Sequence, residues 1–575
     1  MYILGVNSVY HESSASILKD GKLIAAVEEE RLNRKKHGKE LRLDNPNELP
    51  LRSIEYCLKQ AGITLKEVSH IGFSINPERR LSTYLIKDMV EEGNWGSEEG
   101  ERFFYENTLK VEKQFRDMGF QGEFHFIDHH LCHGASSFFP SPFNEATVVV
   151  FDGIGETATT LSAHGKGHEL KCIEENLYPS SLGFLWEKMS EYLGFSEYDA
   201  CKVMGLAAYG DIDDYYIEAM RKILRNEGTG KFIVDGNIMR FRYKQDFSKL
   251  EEVFQTARRL PSDPLMDMHK KIARALQKVT EDVILNIVSD AYEKTGCRNL
   301  CLAGGVALNC VANRKILDSG LFDNLYIIPA PHDGGTSLGA AYMIWHALLS
   351  NTKRDRVEHA YWGPEYTDQE IEAALRKNEL NYEIVPEIER KVAELIKEGN
   401  IVGWFQGAME LGPRALGNRS LLADPRYREM RERLNRVVKN REDFRPFAPS
   451  VLEEEATRFF EIPFLTNASD FMLVTYPAKE EVQHLIPAVI HVDGTSRIQI
   501  VKKKTNPRYY SLIQHFYRLT GIPMVLNTSF NDREPIVCSP EDAIHTFLRA
   551  NIDYLAIGNY LVMNPNRSKE NKRND

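Results

Sequence analysis

Short apolar runs alternate with polar turns from the first residues of the chain. Residues 3–7 (Ile-Leu-Gly-Val-Asn) end in a polar turn, and a second run covers residues 14–18. After the turn Lys19-Asp20-Gly21-Lys22 comes a third run at residues 23–27. The pattern predicts strand, turn, strand, hairpin turn, strand. It recurs much later, where residues 147–151 lead into Asp152-Gly153-Ile154-Gly155-Glu156-Thr157. Residues 159–163, a glycine-rich turn and residues 170–173 complete the second copy. Such a duplication suggests two pseudo-symmetric α/β lobes around a nucleotide. The plainer reading, two unrelated meanders in one mixed α/β domain, stays open on the pattern alone.

Farther along, residues 264–294 have apolar positions at near-helical spacing, with Pro264 at the first position, where a helix tolerates it. Residues 299–302 read as a short buried strand, followed by Ala303-Gly304-Gly305-Val306-Ala307-Leu308-Asn309. Residues 325–329 read as another strand, followed by Pro331-His332-Asp333-Gly334-Gly335. Residues 336–349 contain no proline and predict an apolar helix. From 350 to about 369 the chain turns polar and irregular, which predicts a boundary there. The expected organisation is a first domain at 1–352, a second α/β domain at 353–564 and a disordered tail at 565–575.

Composition narrows the class. A chain of 575 residues suggests roughly two to four domains, and 42% hydrophobic residues exclude global disorder. No apolar run approaches the roughly 18 residues of a membrane span. The N-terminal sequence lacks a basic region followed by an apolar stretch, so a cytoplasmic protein is expected. The eight cysteines form no CxxC pair, which argues against a zinc ribbon or a disulfide framework. A net charge of −11 weighs against a surface built to grip nucleic acid, though a local basic patch could still bind phosphates.

Three constellations carry candidate chemistry. His129 and His133 share one face if Asp128 caps a helix there, and Asp152 and Asp333 could add carboxylates from strand ends. Mixed imidazole and carboxylate donors suit iron or another divalent transition metal. Solvent-facing histidines at a helix start are the alternative. Gly304, Gly305, Val306, Asn309 and Gly334 lie in glycine turns between strand and helix, where backbone N–H groups can approach a phosphate or ribose. Each turn alone would more often be simply tight. In the second domain Arg414, Lys439, Arg445 and Arg497 stand mostly beside glycine or proline, with Asn527 and Ser529 downstream. Cations on such rigid turns suit small dianions better than a solvated helix face.

At these residues the chain resembles the carbamoyltransferases of the nodulation-protein-U and cephamycin/tobramycin O-carbamoyltransferase type, nearly end to end. The resemblance rests on His11-Glu12-Ser13-Ser14-Ala15, on Glu29-Glu30-Arg31 with Lys36-His37, on the His129/His133 pair, and on 303–309 and 331–335. In the second domain it rests on 412–420, 445–449 and 527–531. Glu12 stands where that family commonly has aspartate.

The resemblance implies a duplicated actin/hexokinase-like first domain, related to the tRNA threonylcarbamoyl-transfer protein, and a YrdC-like second domain. The second would form carbamoyl adenylate from carbamoyl phosphate and ATP, with Mg2+ accompanying the ATP. The first would pass the carbamoyl group to a hydroxyl or amine of a small-molecule or saccharide acceptor. His129, His133, Asp152 and Asp333 would hold a metal, Fe2+ by resemblance. His11 would be the general base and Lys36 would stabilise charge, while Arg414, Lys439, Arg445 and Arg497 would neutralise the polyanions. A tRNA-modifying threonylcarbamoyl enzyme and a nucleotide-binding regulatory ATPase remain as rival classes.

Overall fold

A computed structural model describes residues 1–84, 95–241, 246–438 and 441–566. The chain divides into two compact units, Met1–Asn33 with His37–Val357, and Arg34–Lys36 with Glu358–Asp575.

In the first unit, strands β1 (Tyr2–Asn7), β2 (Ser14–Lys19), β3 (Lys22–Glu28), β4 (Val68–Phe73) and β5 (Glu123–Phe126) form one sheet in the order β3-β2-β1-β4-β5. A second sheet takes β6 (Glu145–Phe151), β7 (Ala158–Lys166) and β8 (Glu169–Leu177), skips the hairpin β9 (Leu224–Gly228)–β10 (Lys231–Val234), and adds β11 (Asn299–Ala303) and β12 (Asn324–Ile327). Its order, β12-β11-β6-β7-β8, is the same sequence of strands read from the other edge. In both sheets three antiparallel strands are followed by two parallel ones. The duplication is therefore real, and it is the strand plan of the actin/hexokinase class. It also makes equivalent the turn after β1, which carries His11, and the turn after β6, which carries Asp152.

The helices His129–Phe138 and Thr336–Tyr342 pack on each other, the first also against β6, β7 and β11 and the second against β1, β2 and β4. Their approach is close: a side chain at Gly339 would lie 1.7 Å from the Cys132 carbonyl oxygen. The long helix Asp267–Thr295 starts from Met266 as its cap, so Pro264 lies ahead of the first turn rather than in it. The expected 336–349 helix is α-helical to Tyr342 and continues as a π-helical turn over Met343–Leu348. Residues 353–357 stay with the first unit, because Arg354 donates to the Phe138, Phe139 and Phe143 carbonyls and Tyr326 Oη donates to the Val357 carbonyl.

The second unit is also α/β. It is built on a mixed eight-stranded sheet, β13 (Glu383–Ile384)-β22 (Tyr560–Met563)-β21 (Tyr554–Ile557)-β14 (Val402–Phe405)-β15 (Arg419–Ala423)-β20 (Met524–Ser529)-β16 (Ala448–Leu452)-β19 (Gln499–Val501). A small pair, β17 (Tyr476–Pro477) with β18 (Thr495–Ser496), stands apart. Helices Ile388–Lys397 and Pro507–Thr520 pack together through apolar faces that include Val392, Ile396, Leu512 and Phe516. Among the described residues no helix is long and apolar enough to cross a membrane. Of the expected tail 565–575, only the first two residues are among those described.

Candidate active site and metal centre

His129 begins the helix that follows β5. Asp128 occupies the cap position but makes no cap bond; its carboxylate accepts instead from Asn76 Nδ2 and Arg79 Nη1. The free N–H of His129 is taken by Glu156 Oε1 at 2.9 Å, a residue 27 positions along the chain. His129 Nδ1 faces the Ser74 carbonyl oxygen at 3.0 Å, the usual way of fixing a ligating imidazole so that Nε2 is free.

That Nε2 lies 3.5 Å from Asp152 Oδ2 and 3.5 Å from Asp333 Oδ1. His133 Nε2 lies 3.5 Å and 3.3 Å from the same two oxygens. All four residues are buried, and neither imidazole Nε2 has a hydrogen-bond partner. Donors about 2.1 Å from a common centre at tetrahedral angles stand about 3.4 Å apart, so these separations fit a transition-metal ion. Burial opposes charge on all four groups. Even so, the carboxylates hold both histidines above their ordinary range, and the imidazoles hold both aspartates below theirs. Orphaned Nε2 atoms facing buried carboxylates are a donor set that a dication satisfies. The His130 ring is centred 5.8 Å and 6.1 Å from the other two and offers no atom to the set.

Asp152 and Asp333 reach the wall of a cavity of about 760 Å3 in the first unit, which Gly305, Val306, Asn309 and His11 also line. The Gly304 backbone is left-handed, with φ 89°, and a side chain there would lie 2.0 Å from the Phe151 carbonyl oxygen. Its tight turn lets Gly305 N–H donate to Asp152 Oδ1. Asn309 caps the helix Cys310–Asp318 and is gripped by Gln277 in two hydrogen bonds. Gly334 is buried behind the wall, donating its N–H to His332 Nδ1, so a neutral His332 ring carries its proton on Nε2.

His11, in the turn after β1, has Nδ1 buried without a partner and its ring edge-on to His37 and Tyr198. Neighbouring Glu12 adopts φ 55° and pairs with His37 Nδ1. Burial of the Glu12 carboxyl is outweighed first by that bond and then by the neighbouring imidazoles, which hold it down at about 2. Lys36 is exposed, groups with the second unit and is not among the cavity-lining residues. The aromatic walls, Phe184, Trp186, Tyr198 and Phe241, were not foreseen. They come from the insertion between β8 and the long helix, which has no motif to mark it.

In the second unit, Glu410 Oε1 accepts from the N–H groups of Leu416 and Asn418 and so shapes the 412–418 turn that carries Arg414. Asn527 Nδ2 donates to the Ala415 carbonyl in that turn, while its Oδ1 is buried without a partner. Ser529 Oγ donates to Asn531 Oδ1. Arg419 is wholly buried and donates to the Gln406, Gly407, Asn418 and Pro364 carbonyls, a structural role. Arg441, not singled out from sequence, lies within electrostatic reach of Arg445 and Arg497. Burial and then the charge of Arg445 hold the Arg441 guanidinium well below its ordinary range. Lys439 lies outside the described residues.

A family model described as the carbamoyltransferase N-terminus matches residues 2–342, and one described as the carbamoyltransferase C-terminus matches 393–564. Nodulation protein NolNO of Sinorhizobium fredii is 38% identical, with 98% of this chain and 80% of that protein covered. Nodulation protein NolO of Bradyrhizobium diazoefficiens is 39% identical, with 76% of this chain and 78% of that protein covered. Among solved structures, component A of the Acidaminococcus fermentans (R)-2-hydroxyglutaryl-CoA dehydratase overlaps 61% of this chain and 99% of its own at 15% identity and a TM-score of 0.33. The fold assignment rests on strand order and not on that overlap. With both domain models matched and relatives similar over most of its length, the chain belongs to the carbamoyltransferase family.

Proposed function

We propose that the protein is an ATP-dependent carbamoyltransferase working in two half-reactions. In the second unit water cleaves carbamoyl phosphate to carbamate and phosphate, and a carbamate oxygen then attacks the α-phosphorus of ATP, giving carbamoyl adenylate and releasing pyrophosphate. In the first unit an acceptor hydroxyl or amine attacks the carbamoyl carbon, and AMP departs with the electrons of the cleaved C–O bond. The acceptor is a small molecule or saccharide, as in natural-product or glycan biosynthesis.

The observation that carries this reading is that His11, Gly305, Val306 and the carboxylate-bearing Asp152 and Asp333 line one cavity. The glycine turn and the N-terminus of the helix Cys310–Asp318 favour an anionic phosphoryl group. His11 takes the acceptor proton, since imidazole titrates near working pH. A divalent ion held by His129, His133, Asp152 and Asp333, iron(II) by resemblance, would supply positive charge for phosphoryl oxygens. Arg414, Arg445 and Arg497, with Lys439, neutralise the polyanions, and Asn527 and Ser529 orient them.

The test is to incubate the purified protein with carbamoyl phosphate, ATP and Mg2+ and to follow pyrophosphate and carbamoyl adenylate. Formation that depends on carbamoyl phosphate is expected. Its absence would sink the reading. A mass-spectrometric screen for products heavier by one carbamoyl group then identifies the acceptor.

A further inference from the structure

We propose that His70, Glu123 and His125 form a separate binding site for a divalent transition ion of the zinc class, at the outer edge of the first sheet. The site is built by strand register. β4 and β5 run parallel, with His70 opposite Glu123 and Gly72 opposite His125. Side chains alternate along a strand, so these three rise from one face. Ile71, Phe73, Phe124 and Phe126, between and beside them, serve the hydrophobic core on the other face.

The donor atoms form a closed triangle. His70 Nδ1 lies 3.1 Å from His125 Nε2, and Glu123 Oε2 lies 3.9 Å from each of those nitrogens. An ion at the centre of the circle through the three atoms would stand about 2.1 Å from every one, the length of a zinc–imidazole or zinc–carboxylate bond. A hydrogen bond between two neutral histidines accounts for the 3.1 Å contact alone. It does not account for a carboxylate oxygen equidistant from both nitrogens.

The two rings are stacked, with centroids 5.4 Å apart and planes at 29°, so both nitrogens are presented side by side. Burial favours the neutral, ligating form of His125. Two imidazoles and one carboxylate suit zinc, nickel or copper better than calcium or magnesium. Glu123 is 73% exposed, so a water can complete the shell. Such an ion would tie edge strand β5 to β4, the join left unguarded where a sheet ends. None of these residues belongs to the His129 quartet or lines the large cavity.

The test uses the full chain, stripped with a chelator and titrated with Zn2+ alone by calorimetry. Wild type is compared with His125→Ala and Glu123→Gln, which leave the quartet untouched. His125→Ala is expected to bind one zinc fewer, and Glu123→Gln to bind that zinc at least about tenfold more weakly. Thermal unfolding without metal should be unchanged by Glu123→Gln, and zinc should raise the melting temperature of wild type more than that of either variant. Equal stoichiometry and affinity in all three proteins would overturn the proposal and leave only the histidine–histidine hydrogen bond. Should His125→Ala fail to fold, the exposed Glu123→Gln decides the matter.

Discussion

Gly305 donates its backbone N–H to Asp152 Oδ1 at 2.9 Å, which turns Oδ2 toward His129 and His133. The glycine turn and the candidate metal centre are thus one device. A side chain at Gly305 would lie 3.2 Å from that Oδ1 and push it away. Gly305→Ala should therefore fold but bind its metal about 10–100-fold more weakly. Gly304→Ala meets the Phe151 carbonyl at 2.0 Å and should lose folding stability by more than about 1 kcal/mol. Metal analysis and thermal unfolding separate the two. Unchanged metal content in Gly305→Ala would break the link.

The quartet leaves His130 aside although it sits between two members. Its ring is buried, and burial first of all drives its pKa down to about 3. His129→Ala should lose the quartet's one equivalent of metal, while His130→Asn should retain it, at a stability cost from refilling its packing against Gly155. Equal metal content in the two variants would show that the quartet does not bind the ion.

Arg419 and Arg445 should fail differently. Arg419 spends its guanidinium on four buried carbonyls and lies over the Phe405 ring, so Arg419→Ala should unfold the second unit by leaving them unpaired. Arg445 is half-buried, 3.9 Å from Glu442. Arg445→Ala should stay folded and lose about 10²–10³ in the rate of pyrophosphate release. Near-normal release by the folded variant would remove Arg445 from the chemistry.

His11 separates the half-reactions. His11→Ala should still make carbamoyl adenylate yet pass it on about 10²–10⁴-fold more slowly. Loss of adenylate formation in the folded variant would mean a single composite site. Undiminished transfer from chemically supplied adenylate would assign the proton to another base.

Lys39 provides a pH signature. Its buried ammonium donates to Ser8 Oγ and to the Asn45 and Glu48 carbonyls, holding the loop whose Glu40 and Leu41 line the cavity. Burial pulls its pKa down to about 7, whereas an unfolded lysine holds its proton to about 10.4. Unfolding between those values takes up a proton, so the stability due to this group is full above the higher pKa and is lost as pH falls to the lower one. Relative to Lys39→Met, wild type should gain up to about 1.4 kcal/mol for each pH unit from 7 toward 10. Urea unfolding of both proteins at pH 7 and pH 9 checks it, and parallel pH profiles would refute it.

What could be read from the residues was local. Apolar runs of strand length around Asp20-Gly21 and around Phe151 suggested two copies of one strand plan, because a strand buried on both faces reads as a continuous apolar run, but left two unrelated meanders open. The spacing of His129 and His133 declared a shared helix face. The rest depended on groups far apart in sequence. Glu156 rather than Asp128 satisfies the His129 N–H, and Arg441 is buried within electrostatic reach of Arg445 and Arg497. Lys36 falls with the second unit, and the aromatic cavity walls arise from an insertion without a motif. No periodicity encodes such pairings. They follow from which strand ends the two sheets bring together and from the need to satisfy each buried polar group there, a condition met only in the folded chain.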